Sequence, residues 1–170
     1  MELVGIDPKA KEYLYKLASS WLCSNLDGQV MTSLMVRGPS TGSPSYESHQ
    51  KETKEIYESL KRRSKVVSEG LNAIPGFSCQ KAQGAMYCFP SIQIPNGAIM
   101  AAEAQGIPPD TLYAVDLLQE TGICVVPASG FRQAAGRFGF RTTFLPPEQE
   151  MRDAVNVIAT HYQMFCKKYI

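Results

Sequence analysis

The chain has 170 residues, with 17 Lys and Arg against 16 Asp and Glu and a formal net charge of +1. That length is ample for a hydrophobic core in one domain, or in one domain joined to a piece of another. The near balance of charge removes any global pull toward nucleic acid or membrane and leaves shape and local charged sites as the means of binding.

In chain order, Asp7-Pro8 opens a first helix, because the carboxylate accepts from an unpaired backbone donor while proline occupies the first turn. Ala10, Leu14, Leu17, Ala18 and Trp21 give it an apolar face. A second short helix is predicted from about Gln29 to Val36, and Gly38 to Pro44 reads as a turn-rich connector. A long helix follows from about Ser45 to Leu71, with a sparse stripe of Tyr46, Thr53, Ile56, Leu60, Val67 and Leu71. Its Lys61, Arg62, Arg63 and Lys65 are compensated by Glu52, Glu55, Glu58 and Glu69, which makes a solvated face rather than a nucleic-acid patch. Pro75-Gly76 ends it.

Ala85 to Ile94 is a strand candidate whose Pro90 favours an edge or a bulge. Met86 and Cys88 are expected to fill core space. Helices are predicted at Ala98 to Gln105 and at Thr111 to Glu120, the latter with Leu112, Val115 and Leu118 inward and Gly122 as its terminal glycine. Ile123 to Val126 reads as a short strand leading to the tight loop Pro127 to Phe131. Arg137 to Phe144 alternates, with Phe138, Phe140, Thr142 and Phe144 on one face and Gly139, Arg141 and Thr143 on the other. Pro146-Pro147 opens a last helix with Met151, Val155, Ile158, Tyr162, Phe165 and Tyr169 inward. From Phe77 on, the order is that of a compact α/β or α+β layer in which helices cover a small sheet, while the amino-terminal helices need outside partners to bury their apolar faces.

Cys23, Cys79, Cys88, Cys124 and Cys166 form no CxxC pair, and their odd number argues against a complete disulfide framework, so a reducing compartment is expected. His49 and His161 supply no ligand spacing with them, and no metal is expected. The first residues lack a basic segment followed by an apolar run, and no stretch is apolar enough to span a bilayer. The expected location is intracellular, cytoplasmic first, with the mitochondrion left open. Ser129 is no hydrolase nucleophile, since no histidine and acid accompany it.

Three stretches carry a resemblance. Gly84-Ala85-Met86-Tyr87-Cys88-Phe89-Pro90, Thr121 through Phe131, and Phe140-Arg141-Thr142-Thr143-Phe144-Leu145-Pro146-Pro147-Glu148 closely resemble the end of alanine aminotransferases. Cys23-Ser24-Asn25, Gly28-Gln29 and Ser45-Tyr46-Glu47 extend the likeness over essentially the whole chain.

The resemblance implies the carboxy-terminal part of a fold-type-I transaminase dependent on pyridoxal 5'-phosphate. Residues 1–44 would be the tail of the large cofactor-binding domain, 45–72 the long interdomain helix and 73–170 the small domain. It implies a complete enzyme that is a homodimer and exchanges an amino group between L-alanine and 2-oxoglutarate, giving pyruvate and L-glutamate. The family's lysine, its aromatic cofactor-stacking residue and its aspartate at the pyridine nitrogen match no position here, so the isolated chain is expected to be inactive and to bind no cofactor alone. Arg141 corresponds to the arginine that binds the substrate α-carboxylate, a role suited to a planar fork making two parallel charge-assisted hydrogen bonds. Ser129 and Gly130 belong to a loop near substrate, and Ser24, Asn25 and Gln29 to the active-site mouth or dimer interface, where a helix cap and turn is the plainer alternative.

Where the family commonly reads Pro-Gly-Ser-Gly-Phe-Gly, this chain has Ala128 and Arg132 in place of two glycines, and Gly139 stands where a histidine or similar polar residue often lies. These departures bear on substrate detail. Two other readings share the sequence: a transaminase for glyoxylate or another small amino acid, and a non-catalytic oligomerising or protein-interaction remnant.

Overall fold

Asp7 caps the first helix by accepting from the backbone N–H groups of Lys9 and Ala10, as the sequence requires. The computed structural model describes residues 3–170. They fall into two compact units, Met1–Glu52 and Thr53–Ile170, with the boundary inside a long helix.

The first unit holds α1 (Pro8–Ala18), α2 (Leu26–Arg37) and the first turns of α3 (Tyr46–Asn72). Neither α1 nor α2 buries a single residue, and Trp21, Leu22, Met35 and Val36 are each at least 75% exposed. The apolar faces of both helices are therefore uncovered within this unit. α2 starts three residues before the predicted Gln29, because Asn25 caps it by accepting from the Gly28 N–H.

In the second unit α3 buries Val67, Ser68 and Leu71, with Leu60 and Val66 partly buried against the core. Ile56 from the predicted stripe is exposed. The sheet consists of β1 (Phe77–Ser78), β2 (Tyr87–Cys88), β3 (Ser91–Ile92), β4 (Val126–Pro127) and β5 (Phe138–Thr143). All pairs are antiparallel, with β5 in the middle: β2 and β3 lie along one side of it and β4 along the other, and β1 pairs with β3. The predicted single strand from Ala85 to Ile94 is thus two short strands. Both keep the same register on β5, Tyr87 opposite Thr143 and Ile92 opposite Phe138, so they are one interrupted ladder. The break is at Pro90, whose carbonyl accepts from the N–H of Phe140 but whose ring nitrogen has no hydrogen to return. Of the two residues expected in the core here, Cys88 is buried while Met86 is 39% exposed.

α4 (Asn96–Ala104), α5 (Pro109–Thr121) and α6 (Glu148–Lys168) cover the sheet. The predicted inward face of α5 needs correction, since Val115 and Leu118 are exposed and only Leu112 of that set is buried. α5 packs against α4, α6 and the sheet, and its buried arc includes Asp110, Tyr113, Ala114 and Leu117. That spacing is i, i+3, i+4, i+7 and was masked by an acid and a phenol. Gly122 ends α5 in the left-handed conformation expected of it, with φ 75°. Tyr113 lies fully buried among Phe140, His161, Tyr162 and Phe165, all within 6.1 Å between ring centroids. The two phenylalanines, Phe140 and Phe165, contribute about 1.5–3 kcal/mol each by leaving water. The strand expected from Ile123 contracts to Val126–Pro127, and the following Ala128–Phe131 closes into one 3-10 turn. Among the described residues no helix is long and apolar enough to cross a membrane, and no three acidic, histidine or cysteine side chains are grouped to hold a metal.

Candidate functional site

β5 is two-faced, as its alternation requires. Phe140 points into the core with no exposure, while Arg141 is half-buried on the other face. Val126 lies directly opposite Arg141 on one neighbouring strand. The constant register on the other side places Phe89 opposite Arg141 and Tyr87 diagonal to it. The guanidinium carbon sits 4.6 Å from the centre of the Tyr87 ring and 4.9 Å from that of Phe131. Phe131 in turn meets Phe89 edge to face at 5.2 Å.

The Arg141 guanidinium therefore lies over two aromatic rings, in contacts worth about 0.5–2 kcal/mol each. Its N–H donors remain free, since among the described residues no carboxylate or carbonyl is hydrogen-bonded to Arg141. Three arginines of α3 and α6 bind within the fold: Arg63 donates to the carbonyls of Leu145 and Pro146, and Arg62 and Arg152 pair with Glu148. Arg141 combines two ring contacts with N–H donors that make no hydrogen bond among the described residues, and a guanidinium so placed can accept a carboxylate in two parallel bonds.

The 3-10 turn positions Phe131. The N–H of Ser129 donates to Oδ2 of Asp110 at 2.8 Å, its hydroxyl lies 3.3 Å from that of Thr111, and the N–H of Arg132 returns to the Ser129 carbonyl at 3.2 Å. These bonds tie Ser129 to α5, and of this turn it is Phe131 that reaches Arg141. The unusual backbone in this loop is not at Gly130 but at Arg132, whose φ is +55°.

Ser24, Asn25 and Gln29 come together in the first unit. Asn25 Oδ1 accepts from the Gly28 N–H at 3.0 Å, and Gln29 Nε2 donates to the Ser24 hydroxyl at 2.5 Å. All three are exposed, beside an open groove that also includes Thr32 and Ser33. Within this unit their contacts are those of a helix cap.

Residues 3–158 match the family described as aminotransferase class I and II. The chain belongs to that family. It is 46% identical over 169 residues to a probable mitochondrial alanine aminotransferase of Dictyostelium discoideum, and 44% identical over 169 residues to mitochondrial alanine aminotransferase 1 of Arabidopsis thaliana. Each alignment covers 99% of this chain but only 32% and 31% of the relative, so the chain spans about a third of the length of the curated proteins it matches. A glutamate–glyoxylate aminotransferase of Arabidopsis thaliana is 40% identical over 168 residues, covering 99% of the chain and 35% of that protein. Among solved structures, an alanine aminotransferase from Pyrococcus furiosus superposes with a TM-score of 0.60 at 28% identity, over 93% of this chain and 34% of that one.

Three features of this aminotransferase chain escaped the sequence reading. Tyr87 and Phe131 stack on the arginine, which alternation and register reveal only after β2 and β5 are paired. Asp110 is 1% exposed and tethers the turn. Asp116 joins buried His161, at 2.9 Å to Nε2, to Lys168, at 2.6 Å to Nζ, and its carboxylate holds the Lys168 pKa above the usual lysine value. All ten lysines of the chain are exposed. Arg141, with its N–H donors unengaged among the described residues, is chemically suited to a carboxylate.

Proposed function

We propose that this chain is the part of an alanine aminotransferase that grips and orients the substrate carboxylate, exchanging amino groups between L-alanine and 2-oxoglutarate in the complete enzyme. The supporting observation is Arg141, its guanidinium over the rings of Tyr87 and Phe131 and its donors free among the described residues. A bidentate grip on the α-carboxylate fixes which bond at Cα stands in line for cleavage, a gain in orientation rather than in electron withdrawal. Pyridoxal phosphate, held by a lysine and a phosphate cup outside this chain, supplies the electron withdrawal when bound. Ser129 and Gly130 form the wall beside the acid end. Ser24, Asn25 and Gln29 belong to the site mouth or to the interface of a homodimer. In this reading residues 1–44 end the large domain, 45–72 connect and 73–170 form the small domain.

In the complete enzyme, Arg141→Lys should lower kcat/KM for L-alanine by about a hundredfold, since one of two charge-assisted bonds and the planar match are lost. An unchanged value removes the assignment. The 40% identity to a glutamate–glyoxylate aminotransferase supports a second reading in which glyoxylate is an amino acceptor. Comparing pyruvate with glyoxylate as acceptor, glutamate being the donor, separates the two, because both depend on the same arginine.

A further inference from the structure

We infer that Asp110 is a positioning residue for Arg141, acting through the Ala128–Phe131 turn. This rests on the reading of Arg141 as the carboxylate site. Asp110 stands in the first turn of α5, 1% exposed, and Oδ2 accepts the Ser129 N–H at 2.8 Å. Its other oxygen, Oδ1, is buried with no hydrogen-bond partner among the described residues. A half-satisfied buried carboxylate costs the fold stability. Capping does not explain it either, since Asp110 makes no side-chain cap bond to α5. What it does secure is the turn: Ser129 is held to α5 by its N–H and, through its hydroxyl, to Thr111 at 3.3 Å. Two residues further on, Phe131 lies 4.9 Å from the Arg141 guanidinium and 5.2 Å from Phe89.

The path is therefore short and has no flexible link: carboxylate, backbone amide, one tight turn, ring, guanidinium. Tyr87 reaches Arg141 from a different strand and does not depend on Asp110. Releasing the turn should remove the Phe131 contact while the Tyr87 contact stays. Helix α5 thus sets the resting orientation of a cation on β5 that it does not touch.

The test is NMR of the 170-residue chain, reading the ring-current displacement of the Arg141 Nε–H and Cδ–H resonances. Phe131→Leu gives the size of the Phe131 component. Asp110→Ala should lose that same component and leave the part due to Tyr87, and Asp110→Asn, which keeps an acceptor for the Ser129 amide, should restore it. Methyl resonances of Leu117 and Ile158 report that the core is intact in each variant. An Arg141 signal unmoved by Asp110→Ala but moved by Phe131→Leu overturns the inference, as does Asp110→Asn behaving like Asp110→Ala with the core intact. In the complete enzyme, Asp110→Ala should raise KM for L-alanine about tenfold with kcat changed far less, rescued by Asp110→Asn. If the resonances respond as expected while Arg141→Lys leaves kcat/KM unchanged, the tether stands and the carboxylate reading falls; the reverse pattern removes the tether alone.

Discussion

Gly139 on β5 lies against the carbonyl of Pro90 so closely that a methyl group on it would overlap the oxygen, and would meet Ser91 Cα at 3.2 Å and the Pro90 carbonyl carbon at 3.3 Å. All three obstacles are backbone and cannot swing aside. Gly139→Ala must therefore push β3 and β5 apart beside Arg141, at a cost of about 1–3 kcal/mol. Urea unfolding of the chain should show the midpoint falling with the slope unchanged. Any side chain at this position meets the same backbone, and a midpoint equal to the parent's would show that the two strands separate easily.

Arg132 adopts φ +55° at the end of the 3-10 turn, the conformation a glycine tolerates freely and a side chain does not. Arg132→Gly removes a left-handed penalty of about 1–2 kcal/mol and returns about 0.4–1 kcal/mol of flexibility to the unfolded chain. The net expectation is a more stable chain by about 0.5–1 kcal/mol. Arg132→Ala, which keeps the penalty, should not show the gain, and equal unfolding midpoints for the Gly and Ala variants would argue against strain at this position.

Much of this architecture is legible in local chemistry. Asp7-Pro8, Pro75-Gly76, Gly122 and Pro146-Pro147 mark real helix limits because capping and the lack of an amide act within a few residues. The two faces of β5 also follow from alternation, so the separation of Phe140 from Arg141 is readable in advance. What is not readable is whatever depends on a distant partner. The split of Ala85 to Ile94 follows from a missing donor opposite Phe140, and the rotation of α5 from having packed neighbours on several sides, which turns Asp110 inward and Val115 out. The candidate site divides the same way: family likeness points to Arg141 and Ser129, whereas Tyr87, Phe131 and Asp110 acquire roles only when register and turn are assembled.

Glu148 at the start of α6 pairs with Arg152 at 2.7 Å and with Arg62 of α3 at 3.3 Å. The Arg152 guanidinium first, and Arg62 after it, hold its carboxyl below the ordinary value of 4.5. A depressed folded-state pKa contributes stability that is present above the unfolded value and lost as pH falls through the folded one. Exposure screens the contribution, so the difference between the chain and Glu148→Gln should be small and reduced by salt. Unfolding midpoints measured from pH 7 downward should differ above pH 4.5 and converge below it; a gap that widens toward acid would contradict the pairing.

Tyr87 touches Arg141 through its ring face alone, which makes its contribution separable from hydrogen bonding. The exposed cation–π contact is worth about 0.5–1 kcal/mol, so in the complete enzyme Tyr87→Leu should raise KM for L-alanine about two- to fivefold. Tyr87→Phe keeps the π face and should stay close to the parent, because no hydrogen bond of the Tyr87 hydroxyl is involved in holding the guanidinium. The effect should fall on KM rather than kcat, since the ring restrains the arginine equally before and during reaction. A Phe variant as impaired as the Leu variant would mean that the hydroxyl itself meets the ligand, and would move Tyr87 from a support of the arginine to a direct partner of the substrate.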